Sequence, residues 1–107
     1  MLTTEIHNEA VANAQLATQQ YILIHGEHPM NCGFAWVDAR VKGNTKIGKS
    51  FIAQGFDKSY NGGYSLWNPS GNYTQDMSAK ECGVNAYVAT VIKYLPDTPI
   101  YSGSRLD

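Results

Sequence analysis

Between residues 33 and 41 the chain alternates strictly. Ala35, Val37, Ala39 and Val41 fall on one side, and Phe34, Trp36, Asp38 and Arg40 on the other. A period of two is that of a β-strand, because successive side chains point to opposite faces of the pleat. The first half of the stretch is apolar on both sides, which predicts a central strand covered from both faces. The remaining elements have to be arranged around it.

Upstream, residues 3–25 read as a helix. Thr3 or Thr4 can cap it, and Ile6, Ala10, Ala14, Ala17, Tyr21 and Ile24 recur at spacings of three and four. Polar residues such as Glu9, Asn13 and Gln20 fill the intervals, and His25-Gly26 with Pro29 predicts the stop. Downstream, residues 44–54 read as a short helix with Ile47, Phe51 and Ile52 inward, ended by Gly55. Asn61-Gly62-Gly63 leads into a strand at 64–67, and Asn68-Pro69-Ser70-Gly71-Asn72 is a turn. Pro69 presets φ there, and Gly71 lets the backbone swing back. Ser78-Ala79-Lys80-Glu81 matches a capping box for a third helix, with Val84, Val88, Val91, Ile92 and Leu95 inward and Pro96 as its stop. Residues 100–102 complete the series as a short strand.

The order helix, strand, helix, strand, helix, strand predicts an α/β fold, with α+β as its variant. The expectation is one small domain over residues 1–107, with a three-stranded sheet, parallel crossovers and helices covering it. Hydrophobic residues make up 43% and charged ones 16%, a globular composition. Eight basic residues against nine acidic ones give a net charge of −1. That disfavours duplex nucleic acid as a partner, although a local basic patch is compatible with it. Two cysteines, Cys32 and Cys82, do not make a disulfide scaffold. With no basic leader and no long apolar run, the chain reads as cytoplasmic and without a membrane partner.

Four groupings bear on chemistry. Gly43-Asn44-Thr45-Lys46-Ile47-Gly48-Lys49-Ser50 satisfies the phosphate-loop pattern, in which backbone amides and a helix N-terminus cradle phosphate oxygens. Against it, the apolar stripe starts the helix before Lys49, and no later strand supplies a magnesium-holding aspartate. A basic loop that meets an anion is the weaker form of the same reading. His25-x-x-His28-x-x-x-Cys32 carries metal-ligand residue types but lacks a fourth ligand at telling spacing, so no metal site is assigned. Cys32 with His25 or His28 as base would make a nucleophile, but cysteine opening an apolar strand is more often a small hydrophobe. Finally, Tyr60, Tyr64, Trp67 and Tyr73 crowd the glycine-rich segment. They are either a stacking or protein-binding surface, or a roof over a core that Trp36 and Trp67 fill.

Taken together, Cys32-Gly33-Phe34-Ala35-Trp36-Val37, the Gly43–Lys49 run, Leu66-Trp67-Asn68-Pro69-Ser70-Gly71, Ala79-Lys80-Glu81 and Ser104-Arg105-Leu106-Asp107 carry a resemblance. From about residue 31 to 107 the chain resembles a group of small proteins of tailed bacteriophages, a group with no established activity. The resemblance implies a phage accessory protein acting in the host cytoplasm. In that group the position of Ser50 can be alanine, which counts against a phosphate-loop enzyme.

The leading expectation is a non-enzymatic protein that binds a host bacterial component, in a host-takeover or anti-defence role, with no catalytic residue and no cofactor. The alternative is a binder of an anionic small molecule such as a nucleotide. A second alternative is a small hydrolase using Cys32 or the Gly43–Ser50 loop. The binding residues would be Lys42, Asn44, Lys46, Lys49, Tyr64, Trp67, Asn68, Ser70 and Arg105, on loops at strand ends. A homo-oligomer is compatible with the sequence.

Overall fold

A computed structural model describes residues 1–27, 31–59 and 62–106. Seven elements follow one another: α1 (Thr4–His25), β1 (Gly33–Ala39), α2 (Lys46–Ala53), β2 (Asp57–Lys58), β3 (Tyr64–Trp67), α3 (Met77–Tyr94) and β4 (Ile100–Leu106). The strands form one sheet in the order β2-β3-β1-β4, and every neighbouring pair is antiparallel. The α/β class therefore holds. From β1 onward the order is that of a split βαβ unit. The crossovers do join strands of like direction, β1 to β2 and β3 to β4, but in each case a third strand lies between them. That insertion removes the parallel neighbours expected from the alternation. The fourth strand, β2, has only two residues, too short to show a period.

The faces of β1 divide as the alternation requires. Ala35, Val37 and Ala39 are buried against the helices, with Val84, Tyr87 and Val91 of α3 above them. Phe51 and Phe56 close the core, their rings edge-to-face at 5.0 Å. Phe34, Trp36 and Asp38 lie on the opposite face, which no helix covers among the described residues. The expectation that β1 is covered on both faces is thus corrected. It is central in hydrogen bonding, between β3 and β4, but buried on one side only.

The missing cover follows from where α1 goes. Instead of crossing the bare face, α1 lies along α3, and α3 lies on β1 and β4. Small residues set that contact. Ala10, Ala14 and Thr18 are buried on α1, and a Cβ at Gly83 of α3 would stand 2.6 Å from Thr18 Oγ1 and 3.2 Å from the Ala14 carbonyl. The Thr18 hydroxyl donates to the Ala79 carbonyl (2.9 Å), and the Asn13 amide donates to Thr90 Oγ1 (2.9 Å). The buried line is therefore 10-14-18 rather than one through Ala17 and Ile24. Ile24 projects beyond the contact and is 75% exposed.

α3 is buried on two sides, which explains two further corrections. Tyr87 and Thr90 join the expected Val84 and Val91 inside, whereas Ile92 is exposed. Its N-cap is Asp76, whose carboxylate accepts from the Ser78 amide and from the Asn31 side chain, both at 2.9 Å. The helix thus starts two residues before the expected capping box. Glu81 does not close a box with Ser78 and instead accepts from Ser104 Oγ of β4 (3.0 Å). α2 begins at Lys46, capped by Thr45, and leaves Ile52 exposed. β4 continues to Leu106 because it pairs with β1 along its whole length.

Two outcomes are expected. Gly83→Val gains a few tenths of a kcal/mol in helix propensity. That is outweighed by overpacking against Thr18 and Ala14, for a net loss of about 1–3 kcal/mol in urea unfolding. The second concerns His7 and Tyr87. Tyr87 is fully buried, burial raises its phenol pKa so that it keeps its proton, and its hydroxyl is hydrogen-bonded to His7 Nδ1 (2.7 Å). Burial also lowers the pKa of His7 from its ordinary 6.5. The unfolded chain then binds the proton more readily than the folded one. This stability is fully present above pH 6.5 and declines as pH falls below it. The melting temperature should drop between pH 7.5 and 5.5, and His7→Gln, which retains an acceptor, should flatten that slope.

Candidate functional site

The open face of the sheet has three rows, set by strand register. Arg105 of β4 stands opposite Phe34 of β1. Gly103, Trp36 and Trp67 form the next row, across β4, β1 and β3. Tyr101, Asp38, Ser65 and Asp57 form the third, across all four strands. Successive rows are about 7 Å apart, two residues of strand rise.

The middle row is aromatic. The Trp36 and Trp67 rings lie 4.9 Å apart at 38°, and Phe34 meets Trp67 edge-to-face at 6.0 Å. Trp36 lies down over Gly103, where a Cβ would come within 2.5 Å of its indole ring. Trp67 is 53% exposed and Phe34 38%. A ring as large as Trp67, half uncovered, leaves on the order of 100 Å² of surface in water, or about 2.5 kcal/mol of burial not realised. Aromatic rings gathered on one open face, rather than scattered singly, offer contact area to a partner.

A cleft of about 350 Å³ opens over Trp36 and Trp67, lined also by Asp38, Asp57, Lys58, Ser59, Ser65 and Arg105. The size is within the range of small-ligand sites. Its polar lining is incompletely paired. Arg40 Nε donates to Asp38 Oδ2 (3.1 Å), but Asp38 Oδ1 and Ser59 Oγ are shielded from water without a hydrogen-bond partner among the described residues. Each such atom costs about 1–3 kcal/mol if nothing satisfies it. At the other end, the Arg105 guanidinium carbon is 5.9 Å from the centre of the Phe34 ring, and Arg105 has no ion-pair partner among the described residues. Lys80 of α3 also approaches that ring, at 5.5 Å, with its ammonium donating to the Gly33 carbonyl (2.8 Å).

The nine residues expected to bind divide between opposite ends of the sheet. Trp67 and Arg105 meet at the cleft. Lys42, Asn44, Lys46 and Lys49 lie beyond the other end of β1, exposed. Tyr64 belongs to the helix-facing side and packs against Gly43. Asn68 and Ser70 are committed to a chain of turns. The Ser70 hydroxyl donates to Asn68 Oδ1 (3.1 Å), and the Asn68 amide donates to the Asn72 carbonyl (2.9 Å). Gly71 takes the positive φ, +64°, that this turn was expected to need.

The Gly43–Ser50 run is not shaped as a phosphate cradle. Thr45 Oγ1 accepts from the Gly48 amide (3.1 Å) and donates to the Lys42 carbonyl (2.6 Å), and the Lys49 amide donates to the Thr45 carbonyl (2.9 Å). The Ser50 hydroxyl donates to the Ile47 carbonyl and accepts from the Leu2 amide. The Gly48 and Lys49 amides and the Ser50 hydroxyl are thus used within the fold. His28 and Tyr60 lie outside the described residues; among the described ones no three of His, Cys, Asp and Glu gather as metal ligands. The Cys82 thiol is pushed up by burial and by the Glu81 and Asp76 carboxylates, away from thiolate chemistry. Among the described residues no helix is long and apolar enough to cross a membrane.

Searches of family models, of curated proteins and of solved structures find no match to the chain.

Sequence reasoning missed Phe34, Trp36 and Asp38 as site residues, and with them Asp57, Lys58, Ser59 and Ser65. A usable signal was present, since a strand face that continues from Trp36 to Asp38 and Arg40 is a poor candidate for burial. The two-residue β2 gave none. Gly103→Val is expected to lift Trp36 off the sheet. The check is a red shift of tryptophan emission and a weakened near-ultraviolet circular dichroism signal, with the far-ultraviolet spectrum retained.

Proposed function

We propose that this is a non-enzymatic binding protein whose binding surface is the open face of the sheet, centred on Trp36 and Trp67. The carrying observation is the cleft, an uncovered aromatic floor flanked by Asp38 Oδ1 and Arg105, neither of which has a partner among the described residues. Among the described residues no histidine or cysteine lines it, and what it offers is stacking area, acceptors and donors. In keeping with the resemblance to small phage proteins, the partner is a component of the bacterial host. The reading shifts the surface from the exposed lysine-rich loop to the face of the sheet that the helices leave open.

The test is native mass spectrometry of the protein purified from bacterial lysate without dialysis, for the wild type and for Trp67→Ala. The indole is half exposed, so its removal should leave the fold intact. An adduct held by the wild type and lost at least tenfold in the variant is the expected result. An adduct held equally by Trp67→Ala but lost in Lys46→Ala/Lys49→Ala would return the site to the basic loop.

A further inference from the structure

We infer that the cleft takes a mononucleotide whose base carries an exocyclic amino group. This rests on the open face being the binding surface and names what occupies it. Three features stand in line along β1, one per row: the Asp38 acceptor, the Trp36–Trp67 floor and the Arg105 cation. The ends lie about 14 Å apart along the strand before their side chains lean inward. That is the order of groups along a nucleotide, with an amino donor on the base edge, a flat ring and a phosphate.

Each contact answers a need already present. Asp38 Oδ1 lacks a donor, Arg40 having taken only Oδ2. Asp38 lines the cleft, and because its carboxylate torsion is soft, rotation that presents an oxygen to a ligand is the change binding requires there. Adenine, cytosine and guanine bring an amino donor to that edge, whereas uracil brings a carbonyl, which would face a carboxylate oxygen. The exposed side of Trp67 accepts the ring, since every base has a face that stacks on an indole. Arg105 offers a fork of donors suited to phosphate, held at the Phe34 ring. Lys58, at the β2 rim beside Asp57, is the second cation of the lining. The cleft's size and the net charge of −1 suit one nucleotide rather than a polyanion, whose binding requires several phosphate contacts. An uncharged sugar would leave Arg105 unanswered, and a purely anionic ligand would leave Asp38 Oδ1 so.

The experiment titrates the intact chain with CMP, UMP and cytidine, followed by tryptophan emission, both tryptophans being in the cleft. CMP should bind about tenfold or more tightly than UMP, the scale of one good donor–acceptor pair. Cytidine should bind more weakly than CMP, and Arg105→Ala should erase that difference. Asp38→Asn, which can turn a donor toward the ring, should reverse the CMP–UMP order, an effect that general loss of packing would not produce. Equal affinities for CMP and UMP, or no response to AMP, CMP or GMP at millimolar concentration, would overturn the proposal. So would a single-stranded oligocytidylate binding more than tenfold tighter than CMP. If nucleotides fail while a lysate adduct is still lost in Trp67→Ala, the open face remains the binding surface and only its occupant is wrong.

Discussion

The close approach of α1 to α3 is the constraint on which the remaining architecture depends. Gly83 lets the two backbones meet, and Ala10, Ala14 and Thr18 keep the α1 side thin enough to use that space. The hydroxyl of Thr18 and the amide of Asn13 then find partners across the contact, so its polar atoms are not stranded. With its buried line committed to α3, α1 stays on the helix side of the sheet and leaves Leu16, Leu23 and Ile24 exposed. All the helical mass therefore sits on one side, and the aromatic row of β1 and β3 stays open. A packing choice in the first 20 residues thus decides that Trp36 and Trp67 are surface.

Much of the framework could be read from local chemistry. The alternation of 33–41 set both faces of β1, and Thr3, Gly26 and Gly71 marked a cap, a stop and a turn in the places the structure has them. What could not be read was relational. The Ser78–Glu81 spacing was a sound capping signal. Yet Asp76 won because Asn31, 45 residues away in the chain, fixes its carboxylate at the helix start. β1 looked like a doubly buried strand because Phe34 and Trp36 are large and apolar; whether anything covers them depends on α1, which local periodicity does not report. Of the aromatic half of the site, Trp67 was assigned to binding, while Phe34 and Trp36 were read as part of a covered strand. The acidic and serine half, on β2 and β3, was invisible until register put Asp57 and Ser65 in line with Asp38.

The phosphate-loop pattern shows the same distinction between spelling and geometry. Its residues stand between a strand and a helix, as the motif asks, but Thr45 takes the role of helix cap and turns the following amide inward. Gly48 is needed there because its α-carbon passes against the Lys42 carbonyl, not because a ligand approaches. Conversely, Arg105, near the end of the chain, acquires meaning only through pairing opposite Phe34. Chemistry in a chain of this size is placed by strand register more than by contiguous motif.

The most direct test of the central claim is a heteronuclear correlation spectrum of the 15N-labelled protein, compared between buffer and unfractionated bacterial lysate. The two tryptophan indole N–H signals report the cleft, and the amides of Lys46 and Lys49 report the basic loop. The account predicts that both indole signals, with the Ser65 amide, shift or broaden in lysate while the lysine amides stay in place. Movement of Lys46 and Lys49 with unmoved indoles would contradict it.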